Sequence, residues 1–165
     1  MRVGLFIPCF VDQLAPHVGM ATVELLEALG VEVEFPEAQA CCGQPLANLG
    51  CRDRARPLAL ALARAFPPDR YDHVVAPSGS RAALARAHAA SLAHGDGERE
   101  ELEAFGARAR ELCEFVMDVL GPERVRGRCA KRVALHRGCH ALRELRLGRA
   151  SERVWGEGGR AEGAA

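Results

Sequence analysis

Apolar residues recur along this chain with two alternating periods, and each change of period marks a change of element. Residues 3–7 form an apolar run ended by Pro8, the pattern of a buried strand. Residues 18–29 place Val18, Ala21, Leu25, Ala28 and Leu29 at helical spacing, and Gly30 supplies a stop. Residues 31–35 alternate Val, Glu, Val, Glu, Phe up to Pro36, which predicts a second strand. A polar stretch over 37–51 reads as a loop. Asp53 is then placed to cap a helix over 54–65, which Pro67 and Pro68 end.

The same alternation continues. Residues 71–76 predict a third strand, followed by the loop Pro77-Ser78-Gly79-Ser80 and a helix over 81–92. In that loop Ser78 or Ser80 is expected to cap the helix. Residues 100–120 carry Leu102, Phe105, Ala109, Leu112, Val116 and Val119 in helical register, so one long helix is expected there. Residues 132–135 read as a fourth strand and 141–147 as the start of another helix. Four strands alternating with helices define an α/β fold: a parallel sheet of about four strands with flanking helices, Rossmann-like and three-layered. The Gly- and Ala-rich tail over 151–165 has little to bury and is expected to be disordered.

Composition narrows the function. Lys plus Arg and Asp plus Glu both number 22, so the formal net charge is zero, and aromatics are only 5%. That balance argues against a nucleic-acid partner. No apolar run reaches the length of a membrane span, so no direct membrane insertion is expected. The seven cysteines are an odd number without a secretion signal, which points to a reducing, cytoplasmic setting rather than a disulfide framework.

Four of those cysteines fall where strands end. Cys9 follows the first strand, and Cys41 and Cys42 follow the second; Cys139 follows the expected fourth. In a parallel sheet every post-strand loop emerges at the carboxyl edge, where open α/β sheets bind ligands. Thiols 32 residues apart in sequence therefore converge. Clustered thiolates suit zinc or an iron–sulfur cluster. The adjacent pair Cys41-Cys42 is unusual for zinc, whose ligands are usually spaced by two to four residues. Adjacent side chains can ligate different irons of one cluster, and Gly43 lets the backbone turn close to it. Cys113, on an apolar-periodic helix, reads as core. His136 and His140 flank Cys139 and are candidate ligands, though isolated histidines are more often surface or hydrogen-bonded residues. No dinucleotide fingerprint or serine-nucleophile elbow is present.

Several segments carry a resemblance in the right order. They are Pro8-Cys9-Phe10-Val11-Asp12-Gln13, residues 19–30, Cys41-Cys42-Gly43-Gln44-Pro45, Pro77-Ser78-Gly79-Ser80, and residues 138–145. Over about residues 1–150 the chain resembles the lactate-utilisation branch of the cysteine-rich CCG family of iron–sulfur oxidoreductase subunits. The resemblance implies an electron-transfer subunit of a complex oxidising L-lactate or a related 2-hydroxy acid, working beside the other subunits of that complex. It implies a 4Fe-4S-type cluster, cubane or non-cubane, with Cys9, Cys41 and Cys42 as ligands and Cys139 as the opening ligand of a second module. Residues 1–128 are then the first module and 129–150 the start of an incomplete second one. Two departures stand out. Arg81 occupies the position that follows Ser-Gly-Ser, where the family has a cysteine. The second module breaks off after residue 147, as expected of a truncated member. Alternatives to the cluster are a structural zinc or thiol module and a remnant that binds nothing.

Overall fold

The protein is described by a computed structural model covering residues 1–125, 134–148 and 150–158. Its centre is a four-stranded parallel sheet, ordered β2-β1-β3-β4. The strands are β1 (Arg2–Leu5), β2 (Glu32–Glu34), β3 (His73–Ala76) and β4 (Ala109–Glu111). β1 pairs with β2 through Val3↔Val33 and with β3 through Gly4↔Val74. β4 pairs with β3 through Val75↔Arg110.

Helices cover both faces, which is the expected three-layer α/β arrangement. The alternation of side chains across the strands assigns each residue to a layer. Val3, Leu5 and Val75 pack with Leu26, Phe115, Val116 and Leu120 on one face. Phe6, Val74 and Ala76 pack with Leu62, Phe66, Leu102 and Phe105 on the other. The first face is covered by α2 (Pro16–Ala28) and by α7 (Leu112–Glu114), which continues as a π-turn over Phe115–Leu120. The second is covered by α4 (Arg52–Ala65), α6 (Asp96–Arg108), and α5 (Gly79–Ala83) with its continuation over Leu84–His88 and Ala89–Leu92.

Phe66 holds the second layer together. It is fully buried, with its ring edge-on to Phe6 at 6.3 Å and to Tyr71 at 5.8 Å. Burying one such ring contributes on the order of 2–3 kcal/mol. Gly4 makes room for it, because a Cβ there would stand 2.6 Å from the Phe66 ring.

The structure departs from the sequence expectations at five places. The single helix over 100–120 is interrupted by β4, which supplies the fourth strand. The cause is tertiary: the Arg108 guanidinium donates to the carbonyls of Phe66 at 2.8 Å and Tyr71 at 3.1 Å, pinning the end of α6 beside β3. From Ala109 the backbone is extended. The strand expected over 132–135 is therefore not the fourth strand. Residues 132 and 133 lie outside the described residues, as does the expected module boundary at 128–129, and 134–135 have no regular structure.

A short helix, α3 (Gln44–Asn48), replaces part of the stretch expected as loop, and another, α1 (Cys9–Leu14), follows Pro8. Cys51, not Asp53, is the N-cap residue of α4, and Asp53 lies in its first turn. The tail expected to be disordered from residue 151 instead carries α8 (Ala150–Gly158), where Val154 packs on the first face of the sheet. Residues 134–148 fold back over α5 through Leu145, which packs on Ala82 and Ala83. Among the described residues, no helix is long and apolar enough to cross a membrane.

Candidate functional site

β1 lies between β2 and β3, so the chain leaves it to opposite sides of the sheet. That reversal opens a crevice at the carboxyl ends of β1 and β3, the usual ligand position in an open α/β sheet. Pro8 ends β1 and is the N-cap residue of α1, which makes Cys9 the first helical residue. The loop after β2 is fastened to the same end of β1 by one side chain. Gln39 accepts a hydrogen bond from the Ile7 amide at 2.9 Å and donates to the Leu5 carbonyl at 3.1 Å. This stitch delivers Cys41 to Cys9, with a separation of 4.0 Å between their sulfurs. Gln39 carries no sequence signal of this role, being one polar residue in a polar loop.

The next residue goes the other way. Cys9 is exposed and Cys41 half-buried, while Cys42 is only 2% exposed and packs in the core layer with Ala55 and Ala59. Gly43 makes the divergence fit. Its φ of +78° is one that side chains rarely adopt, and a Cβ there would lie 2.9 Å from the Ala55 carbonyl oxygen. Burial pushes the Cys42 thiol up from its ordinary value. A backbone hydrogen bond at Gln44 and the Arg81 charge oppose that rise, and the neighbouring Cys41 and Cys9 add to it.

Arg81 is the charged group of this edge. It is 8% exposed, stacks over the Phe10 ring at 5.7 Å and donates to the Gln44 side-chain oxygen. Gln44 is itself buried and donates onward to the Ser80 carbonyl at 3.1 Å. The Arg81 Nε–H is buried without a partner. Gln44 and Phe10 are thus the clamp of this cation. Their role is invisible in sequence, because nothing there pairs residue 44 with residue 81.

The remaining sequence candidates lie elsewhere. Cys139 is exposed at the start of a π-turn over His140–Glu144 and makes no sulfur contact among the described residues. His140 faces Glu144 at 3.6 Å, and Glu144 also meets His88 at 2.5 Å. Ser78 precedes α5 but forms no cap bond through its side chain; its hydroxyl meets that of Ser80 at 3.2 Å. Cys129 lies outside the described residues. Among the described residues, no three Cys, His, Asp or Glu side chains are already arranged as a metal site.

Fold and edge together define a cysteine-rich α/β domain whose loops gather thiols at one end of a parallel sheet. Comparison with known proteins shows what this domain is similar to. The family model of the cysteine-rich domain named CCG matches residues 3–80. Beyond the domain, the chain is similar to lactate utilization protein A of Geobacillus kaustophilus (strain HTA426). The two are 44% identical over 146 residues, covering 88% of this chain and 60% of that protein. It is 40% identical over 147 residues to lactate utilization protein A of Bacillus pumilus (strain SAFR-032), covering 89% and 61%. It is 36% identical over 146 residues to lactate utilization protein A 2 of Bacillus cereus (strain Q1). The chain spans about three-fifths of the length of these curated relatives.

Proposed function

We propose that this chain is an iron–sulfur electron-transfer subunit in the oxidation of L-lactate or a related 2-hydroxy acid, with Cys9, Cys41 and Cys42 as its protein ligands. The observation that carries the reading is the 4.0 Å approach of the Cys9 and Cys41 sulfurs across 32 residues of chain. The substrate class comes from the names of the relatives. The partners are the other subunits of such a lactate-utilisation system.

The residues fit a soft, anionic group. Thiolates are the ligands that iron–sulfur centres take. A thiolate-bound cluster is negative, and the buried Arg81 offers a fixed cation with one N–H unpartnered beside Cys42. Cys9 and Cys41 stand ready, whereas Cys42 must turn out of its core packing to serve as the third ligand. Such a cluster supplies one-electron transfer, while the protein sets its position and potential. In this division Gln39 holds the two loops together, Gln44 and Phe10 hold the cation, and the core under Cys42 excludes water.

One observation favours zinc as the alternative occupant. Two thiolates on a single tetrahedral metal, at about 2.3 Å per bond, lie about 3.8 Å apart, close to the separation seen here. Elemental analysis of protein purified without oxygen separates the readings. The proposal expects iron and sulfide in stoichiometric amounts after anaerobic reconstitution, with visible absorption lost in Cys9→Ala and Cys41→Ala. Stoichiometric zinc with no iron selects the alternative, and absence of both metals overturns each.

A further inference from the structure

We propose that Cys9 and Cys41 of the metal-free chain close into a reversible disulfide under hydroperoxide, a modification site selected by geometry from among the cysteines. The six described cysteines differ in what surrounds them, and among them only Cys9 and Cys41 present their sulfurs to each other. Cys42 is sealed in the core, and Cys51 and Cys113 are half-buried with no sulfur neighbour among the described residues. Cys139 is exposed but solitary. The two partners also open onto a small cavity of about 150 Å³ between Asp12, Phe35 and Gln39, which admits a small oxidant to both. The Gln39 stitch holds the two loops at this distance through protein groups alone. A side-chain rotation then takes the sulfurs from 4.0 Å towards the bond length of about 2.05 Å.

The chemistry balances with one equivalent of oxidant. The more exposed thiol, Cys9, attacks the O–O bond of the hydroperoxide as its thiolate. The alkoxide leaves and takes up the proton, and Cys9 becomes a sulfenic acid. Cys41 then attacks the Cys9 sulfur, the S–S bond forms, and the hydroxyl leaves as water with the Cys41 proton. Two thiols lose two electrons, and the hydroperoxide gains them to become an alcohol and water. A thiol reductant reverses the change. The proposal stands apart from the cluster reading in needing no metal. It adds one consequence for that reading, namely that an oxidised edge cannot take up metal until it is reduced.

The test uses the full chain, stripped of metal by a chelator and treated with equimolar hydrogen peroxide. Thiols left free are blocked before digestion. Trypsin is unsuitable, because no Lys or Arg lies between Arg2 and Arg52, so the four cysteines between them share one peptide. A glutamate-specific protease cuts at Glu24, Glu27, Glu32, Glu34 and Glu37 and separates Cys9 from the later pair. The expected result is a cross-linked peptide pair lighter by two hydrogen atoms, a thiol count lower by two, and reversal by dithiothreitol. The cross-link persists in Cys42→Ser and vanishes in Cys41→Ser. A cross-link lost in Cys42→Ser but kept in Cys41→Ser overturns the proposal. So does oxidation of Cys9 to the sulfinic acid without a cross-link, and so do purely intermolecular disulfides. Iron content measured on separate reduced samples keeps the two readings apart. A chain that cross-links yet binds no iron supports this inference and defeats the cluster.

Discussion

The two sides of the sheet's carboxyl edge hold cysteines in opposite settings. Beside β1, Cys9 and Cys41 face each other at the surface, 4.0 Å apart. Just past β4, Cys113 sits under a capping box formed by Glu111 and Glu114. The Glu111 carboxylate accepts from the amides of Cys113 at 2.8 Å and Glu114 at 3.1 Å. Burial, and then the Glu111 charge, push the Cys113 thiol up to about 11. Position at the carboxyl edge is therefore not enough to make a thiol chemically useful. Solvent must reach it, and a carboxylate must not stand beside it.

Three measurements test that contrast, in falling order of effect. The largest is alkylation near pH 8. With its thiol at about 11, Cys113 should react roughly a hundredfold more slowly than an unshifted thiol, since each pKa unit costs about tenfold in thiolate. Mass spectrometry of a timed iodoacetamide reaction reads this directly. Labelling of Cys113 as fast as Cys9 would erase the contrast.

The second is stability in alkali. Folding raises the Cys113 pKa from 9.0 to about 11, so the folded state holds its proton more tightly. This contribution is intact below pH 9 and is lost as pH climbs through 11. The loss amounts to roughly 2 kcal/mol by pH 11. Urea midpoints across that range should fall for the natural chain and fall less steeply in Cys113→Ala, where Cys42 and Tyr71, also raised by burial, still titrate. An unchanged slope in the variant would mean that the thiol is not the titrating group.

The smallest is the cap itself. Glu111→Ala removes the acceptor of two helix amides and should cost about 1 kcal/mol. It should also speed Cys113 alkylation, because a neighbouring negative charge disappears. Loss of stability without faster alkylation would leave burial as the sole cause of the raised pKa.

The first three strands were legible in sequence because each is a short apolar or alternating run closed by a proline: Pro8, Pro36 and Pro77. The convergence of Cys9 and Cys41 followed from that topology. β4 was not legible. Ala109-Arg110-Glu111 has no strand pattern, and the helical spacing of Leu102, Phe105, Leu112 and Val116 runs straight through it. These residues do face the core, but from two separate segments on opposite faces of the sheet. What breaks them apart is the anchoring of Arg108 on carbonyls 37 and 42 residues away, a long-range interaction that no local window contains. The divergence of Cys41 and Cys42 was hidden for a related reason. Two like residues side by side carry no sign of which faces water until α4 is packed beneath them.

Gly43 has a consequence for natural variation. Gly30 and Gly50 share its φ of +78° but would meet nothing within 4 Å on gaining a side chain, so asparagine is an acceptable replacement at both. At Gly43 the Ala55 carbonyl and the Leu58 Cβ close off the space as well. In an exhaustive substitution library, tolerance at Gly43 should resemble that of the sulfur-bearing positions before it, not that of the other two glycines. A residue that donates no electrons would then be as invariant as the ones that do.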